Sequence, residues 1–108
     1  MNPHEMLTEA DWQALIVQFA TLHGWLTMHQ LHSKGTTAGW PDLVMLRPPE
    51  LIVVELKSER GLLSAAQQSW LNGLAACGVE TYVWRPRDEA EAFARLAAKQ
   101  AALRAVEA

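Results

Sequence analysis

The chain has 108 residues, of which 50% are hydrophobic, and a formal net charge of -3 at pH 7. This length predicts one domain over residues 1–108, and the acidic balance argues against a protein that coats nucleic acid nonspecifically. A lone cysteine excludes a disulfide framework and a multi-cysteine zinc site. No stretch is long and apolar enough to span a membrane and nothing indicates export, so we expect a cytoplasmic protein without a membrane partner.

The first predicted elements are a helix and a strand. Thr8 and Asp11 have the spacing of a capping box, apolar residues then recur at helical spacing, and Gly24 ends the helix. Residues 25–32 alternate loosely and are predicted to form a strand, followed by a polar loop over residues 33–39.

Two apolar runs predict a β-hairpin. Residues 43–47 and 51–57 form its strands, and residues 48–50 form the turn. Strand period places Glu55 and Lys57 on one face, and the hairpin brings Asp42 beside Glu55.

The charges at the end of this hairpin need partners. Two facing carboxylates repel unless a cation lies between them, and a buried carboxylate and ammonium are costly when isolated. A divalent cation and a phosphate would supply those partners, and oxygen ligands favour Mg²⁺ or Mn²⁺ over zinc. Asp42, Glu55 and Lys57 therefore indicate a metal-dependent phosphodiesterase.

The second predicted helix begins after Ser64 and ends at Gly78. Gln67 completes a capping box with Ser64, and it also lies on the core-facing side of the helix, so it can serve both purposes. Cys77 at the helix end is expected to be a buried, inert hydrophobe.

A strand over residues 79–85 and an alanine-rich helix complete the chain. Asp88 and Glu91 predict a capping box for this helix, which we expect to end near Ala105. The order is α-β-β-β-α-β-α, with its core at about residues 8–88. Because the β-α-β part favours a right-handed crossover, we predict an α/β fold with a mixed four-stranded sheet flanked by helices.

The aromatic and histidine residues are mainly structural candidates. His29 and His32 form a weak zinc hypothesis, because they face opposite sides of a strand and no cysteine pair accompanies them. Trp40 is expected to line the site or contact a base. The alternative is that it packs beneath its loop. The other tryptophans lie at apolar positions and are expected to fill the core: Trp12, Trp25, Trp70 and Trp84.

Short motifs follow one another along the chain. They are Glu9 and Gln13, Gly39-Trp40-Pro41-Asp42-Leu43, Val54-Glu55-Leu56-Lys57, Ser64-Ala65-Ala66-Gln67, and Gly78. Each occurs singly by chance in many proteins. In this order they resemble the VRR-NUC (virus-type replication-repair nuclease) branch of the PD-(D/E)XK nuclease superfamily, which implies a restriction-endonuclease-like core.

The resemblance implies a DNA endonuclease that hydrolyses phosphodiester bonds. It assigns metal ligation to Asp42, Glu55 and the backbone carbonyl of Leu56, and it places Glu9 near the metal. A glutamate in the first turn of a helix also complements the helix dipole without any metal.

The same resemblance places Gln67 in the active site. For Lys57, the chemistry of an ammonium beside the carboxylates is to position the attacking water and to offset charge on the phosphoryl oxygens. A simple ion pair with Glu55 is the alternative.

Relatives of this kind are associated with phage genomes, with branched or junction DNA, and with homodimers. Lys34 and Arg60, on loops beside the carboxylate end of the hairpin, are candidates for phosphate contacts. The alternatives are a non-catalytic nucleic-acid-binding or assembly module, and an RNA-directed or sequence-reading nuclease.

Overall fold

The computed structural model describes residues 2–29 and 37–98. The helices are α1 (Glu9–Leu22), α2 (Ala65–Ala76) and α3 (Glu89–Ala97), the strands are β1 (Leu26–His29), β2 (Leu43–Arg47), β3 (Glu50–Leu56) and β4 (Glu80–Trp84), and short 3₁₀ helices span Pro3–Met6 and Pro86–Asp88. This order confirms the predicted α-β-β-β-α-β-α arrangement. Across the described ranges, no helix has the length and apolar character needed to cross a membrane.

The four strands form one mixed sheet in the order β1-β2-β3-β4. β2 pairs antiparallel with β1 and with β3, and β3 pairs parallel with β4. Apolar residues of α1 and α3 join one face of the sheet in the core cluster. Glu55 points to the opposite face and accepts a hydrogen bond from Gln67, so α2 covers part of that second face. The predicted mixed sheet flanked by helices is confirmed.

Buried tryptophans connect the helices to the sheet. Trp12 Nε1 donates to the carbonyl of Trp84, and Trp25 Nε1 donates to the carbonyl of Leu96, both at 2.9 Å. Trp12, Trp25 and Trp84 are buried as predicted. The prediction for Trp70 is wrong, because 37% of this residue is exposed.

Local capping explains where the helices begin. Both predicted capping boxes, Thr8 with Asp11 and Ser64 with Gln67, are complete. The prediction for Asp88 is wrong: its side chain makes no capping bond to α3 and instead accepts from the amide of Arg85 at 2.8 Å. A 3₁₀ turn lies directly before α3, so the Asp88 carboxylate bonds to the backbone at the start of that turn instead of capping α3.

One boundary and the burial of one residue also differ from the predictions. Helix α3 ends at Ala97 rather than near Ala105, and residues beyond 98 lie outside the described part of the chain. Cys77 is exposed rather than buried, because it is the C-cap of α2 and lies beyond the apolar residues that face the sheet.

A charged network lies at the edge of the core, away from the hairpin's carboxylates. Arg95 bonds to Glu80 and to Glu50, and Arg47 also pairs with Glu50. The guanidinium carbons of Arg47 and Arg95 lie 4.3 and 5.5 Å from the ring centroid of Trp25. Because each charge has an opposite partner, the network can remain largely buried.

Candidate active site

The β2–β3 hairpin places two carboxylates side by side. Leu43 is the cross-strand partner of Val54, so the preceding Asp42 and the following Glu55 meet where β2 begins. The amide of Leu56 donates to Asp42 Oδ2 at 2.9 Å. Leu56 lies beyond the last residue pair of β2 and β3, so its amide bonds to the Asp42 side chain and holds the aspartate against β3.

A third carboxylate comes from the start of α1. Glu9 is the first residue of this helix, directly after the Thr8 cap. Carboxylate oxygens of Glu9, Asp42 and Glu55 lie within 4.8 Å of one another. The structure thus brings together all three of the predicted carboxylates.

Glu55 is the most enclosed member of this carboxylate cluster (Glu9, Asp42 and Glu55), with 1% of the residue exposed. Its Oε2 accepts from Gln67 Nε2 at 3.0 Å and lies 3.8 Å from Lys57 Nζ. Within the described residues, Oε1 is buried and has no hydrogen-bond partner. An unpartnered buried carboxylate oxygen is costly unless another group binds it.

The electrostatics of the cluster favour an added positive charge. Burial raises the pKa of Glu55 to about 8, and the adjacent Asp42 carboxyl adds to this increase against the opposing effect of Lys57. Burial also raises the pKa of Glu9, with Lys57 opposing and Asp42 adding to the shift. Since one ammonium faces three carboxylates, a divalent cation fits the charge and the donor atoms of the cluster.

Gln67 makes both of the contacts that the sequence allowed. Its Oε1 accepts from the amide of Ser64 at 2.8 Å, while its Nε2 donates to Glu55. The start of α2 and the buried carboxylate are therefore joined through one amide side chain.

A close backbone approach positions Asp42, and the sequence analysis missed it. Gly39 has φ +85°, and a Cβ on this residue would lie 2.5 Å from the carbonyl carbon of Ala66. The segment that leads into Pro41 and Asp42 therefore lies directly against the first turn of α2. The glycine three residues before the aspartate was the available signal, because left-handed backbone favours glycine.

Arg85 was also missed. Its Nη1 donates to the carbonyls of Ser58 at 2.7 Å and of Gly61 at 2.6 Å. The amide of Lys57 donates to the carbonyl of Trp84 at 3.1 Å, which extends the strand pairing past β3. These bonds fix the backbone around the buried Lys57. Sequence reasoning could not find the role of Arg85, because its acceptors are backbone carbonyls, which leave no pattern in a sequence.

Of the remaining candidates, the structure places neither Arg60 nor His29 in the carboxylate cluster. Lys34 and His32 lie outside the described residues. Arg60 forms a surface ion pair with Glu5 at 3.0 Å. His29 Nδ1 lies 3.4 Å from Gln13 Nε2, and the metal-ligand cluster found among the described residues contains no histidine.

A mixed α/β sheet with carboxylates and a lysine at the end of a central hairpin defines a nuclease-type fold. The VRR-NUC domain model matches residues 5–88, so the chain belongs to the VRR-NUC domain family, a branch of the PD-(D/E)XK superfamily. A solved VRR_NUC domain protein is similar in fold, with a TM-score of 0.60 and 21% sequence identity. That match covers 73% of this chain and 78% of the other. No curated protein matches the chain.

Proposed function

We propose that this protein is a metal-dependent endonuclease that hydrolyses phosphodiester bonds of DNA. The observation that carries this proposal is the cluster of Glu9, Asp42 and Glu55, whose oxygens lie within 4.8 Å of one another beside a buried lysine. Membership of the VRR-NUC family supports branched or junction DNA as the substrate and phage replication, recombination or repair as the setting.

The donor set suits Mg²⁺ or Mn²⁺, because it consists of oxygen atoms. We assign Glu9, Asp42, Glu55 and the backbone carbonyl of Leu56 as the residues that would hold the ion. The unpartnered Oε1 of Glu55 supports this fit. In an extended strand the N–H and C=O of one residue point to the same side, so the Leu56 carbonyl is directed toward the side where its amide meets Asp42. When bound, the cation would supply Lewis acidity toward the phosphodiester.

Lys57 is our candidate for the positively charged catalytic group that the protein itself supplies. Only 9% of the residue is exposed, and Nζ lies 3.8 Å from Glu55 Oε2. From this position the ammonium can donate hydrogen bonds to the attacking water and to a phosphoryl oxygen. Charge that grows on the phosphoryl oxygens in the transition state would be offset in a site with little water, where such an interaction is strong.

Gln67 is proposed to orient Glu55. By donating to Oε2, its amide holds the Glu55 carboxylate in place, while Oε1 has no hydrogen-bond partner among the described residues and is left for a cation. Groups that orient a ligand in this way affect metal affinity and activity by about 10- to 100-fold in known metal sites.

Arg60 and Lys34 are our candidates for phosphate contacts. The Arg60 side chain is 82% exposed, and its ion pair with Glu5 is of the surface kind, which contributes little free energy. A DNA phosphate could therefore replace Glu5 at small cost. If these contacts form, Arg60→Ala and Lys34→Ala each reduce the slope of log affinity against log salt by about one.

We also propose a homodimer, which would give a small acidic domain more surface with which to hold DNA. An uncovered apolar row on the sheet supports this proposal: Leu26, Leu46 and Leu51 are cross-strand neighbours on one face, and all three are exposed. Light scattering of the wild type and of Leu26→Glu tests it. A wild-type monomer at working concentration would contradict the dimer.

The deciding experiment is cleavage of a labelled four-way junction and its linear duplex counterpart in Mg²⁺, Mn²⁺ and EDTA. Flap and RNA substrates complete the panel, and Glu55→Ala is assayed in parallel. We expect cleavage that requires the metal and is lost in the variant, with a preference for the junction. A folded protein that cuts no DNA with either ion would contradict the proposal. Cleavage of RNA alone would identify RNA, instead of DNA, as the substrate.

A further inference from the structure

Trp40 and Trp70 form an aromatic pair on the surface beside the carboxylate cluster. Their ring centroids are 5.0 Å apart and their planes lie at 80°, which is an edge-to-face contact. Trp70 remains 37% exposed and Trp40 is half-buried. In an edge-to-face pair neither ring can cover both faces of the other, so indole surface stays available.

The pair is tied to the cluster through two separate elements. Trp40 precedes Asp42 by two residues, which an extended chain spans in about 7 Å. Trp70 follows Gln67 by three residues in α2, so the two side chains lie on the same side of the helix. Trp40 is thus a neighbour of Asp42, and Trp70 is a neighbour of Gln67, which bonds to Glu55 of the same cluster.

We propose that Trp40 and Trp70 form a stacking surface for an unpaired nucleobase next to the scissile phosphate. This inference rests on the proposed nuclease function and specifies its substrate class. Within a duplex both faces of a base are covered by its neighbours, whereas a base in a flap, a gap or a junction can leave the stack and meet an aromatic ring. The preferred substrate is therefore DNA with an unpaired base at the cut.

The position of the pair favours a base over a protein partner. A protein seated on Trp40 and Trp70 would cover the approach to Asp42, two residues away, and would exclude the substrate from the cluster. A single nucleotide that enters with the scissile strand can contact the pair and the cluster together. Base stacking on an aromatic side chain is also tolerant of sequence, as a structure-selective nuclease requires.

A double-mutant cycle between protein and DNA tests the proposal. Flap substrates are prepared with one tetrahydrofuran abasic residue at successive positions around the cut, and kcat/KM is measured for the wild type, Trp70→Ala, Trp70→Phe and Trp70→Leu. For the wild type, we expect one position at which loss of the base lowers kcat/KM by about 5- to 100-fold. Trp70→Ala should lower cleavage of the intact flap by a similar factor, without further loss on the abasic flap.

Two variants separate stacking from packing. Trp70→Phe keeps an aromatic ring and should retain the sensitivity to the abasic position. Trp70→Leu keeps an apolar contact with Trp40, so it should fold with a melting temperature near that of the wild type and yet lose the sensitivity. If Trp70→Ala does not fold, Trp70→Leu takes its place in the cycle.

The outcomes distinguish this inference from the function on which it rests. The stacking surface alone would be overturned if wild-type cleavage tolerates an abasic residue at every position. It would also be overturned if the Trp70 substitution and the abasic residue have independent effects on kcat/KM. A shift from dimer to monomer in Trp70→Leu, with abasic sensitivity unchanged, would assign the pair to a protein interface and also overturn it. A folded wild type that cuts no substrate would overturn both proposals.

Discussion

Gly39 lies against the backbone of Ala66 so closely that a Cβ on the glycine would be 2.5 Å from the Ala66 carbonyl carbon. The two residues belong to different parts of the site. Gly39 leads into the segment that carries Asp42, and Ala66 precedes Gln67 in the first turn of α2. The position of one metal-ligand candidate is therefore coupled to the position of the residue that orients Glu55.

Gly39→Ala should move these two elements apart. The new Cβ collides with backbone rather than with a flexible side chain, and the φ of +85° disfavours alanine. We expect a loss of about 1–3 kcal/mol in the free energy of unfolding, together with weaker metal binding. Urea denaturation and Mn²⁺ titration measure the two effects.

Gly73→Ala is the matched control for this change. Gly73 lies in α2 with φ outside the left-handed range, and its added Cβ would meet nothing within 4 Å. Alanine has the higher helix propensity, so this variant should gain up to about 1 kcal/mol. Equal stability changes in the two variants would show that the Gly39–Ala66 approach has no energetic effect.

A comparison of Gln67→Ala with Ser64→Ala should separate the effect of Gln67 on helix capping from its effect on the active site. Both variants break the capping box, and each should lose about 0.5–2 kcal/mol of stability. Only Gln67→Ala removes the hydrogen bond to Glu55, so cleavage should fall by about tenfold or more in that variant alone. Full activity in a destabilised Gln67→Ala would leave this residue as a cap only.

Glu55→Gln should stabilise the metal-free protein in alkaline solution. Burial, followed by the effect of Asp42, raises the pKa of Glu55 from 4.5 to about 8. Between these values the folded state binds more protons than the unfolded state, so stability is full below the lower pKa and falls as pH rises toward the upper one. Each unit of pKa difference corresponds to about 1.4 kcal/mol.

Melting temperatures in EDTA from about pH 5 to about pH 9 check this sign. The wild type should lose stability as the pH rises, while Glu55→Gln should lose less, because only Glu9 then keeps a raised pKa in the cluster, and the variant becomes the more stable protein. Mn²⁺ should raise the melting temperature of the wild type far more than that of the variant. A wild-type curve that is flat in EDTA would contradict the burial of an ionisable Glu55.

Lys57→Ala should abolish cleavage with only a modest loss of DNA binding. The ammonium acts on charge that develops in the transition state, whereas binding depends mainly on phosphate contacts elsewhere. Single-turnover cleavage in Mg²⁺ and binding in EDTA separate the two quantities. An unchanged cleavage rate would reduce Lys57 to an ion-pair partner of Glu55.

Glu80→Gln should destabilise the fold near neutral pH without touching the carboxylate cluster. Burial alone would raise the pKa of Glu80, but hydrogen bonds from Arg95 and Tyr82 outweigh burial and lower it. Because the folded pKa lies below 4.5, this carboxylate contributes stability above that value and loses it as the pH falls through the folded pKa. We expect a loss of about 1.5–3 kcal/mol at pH 7, which disappears in acid.

Chemical denaturation at neutral and acidic pH measures this difference. Glu91→Gln is the control, since it removes an exposed carboxylate that forms no ion pair within residues 2–29 and 37–98. A destabilisation of Glu80→Gln that persists unchanged in acid would mean that packing, rather than charge, accounts for the effect.

The sequence by itself determined the element order, the β2–β3 hairpin and the meeting of Asp42 with Glu55. The capping boxes at Thr8 and Ser64 act within one helical turn, and the periods of helices and strands assign each residue to a face locally. The hairpin then requires Asp42 and Glu55 to meet, because a short turn allows only a few registers. These features depend on neighbours that lie close together along the chain.

Only the tertiary structure decided features that depend on neighbours distant in sequence. Trp70 has the spacing of a core residue, but no element covers it fully, so it reaches the surface beside Trp40. Gly39 meets Ala66, and Arg85 holds the backbone of the loop after Lys57, through contacts with main-chain atoms that every residue has. Periodicity gives the direction of a side chain, whereas the packing of whole elements decides what it meets there.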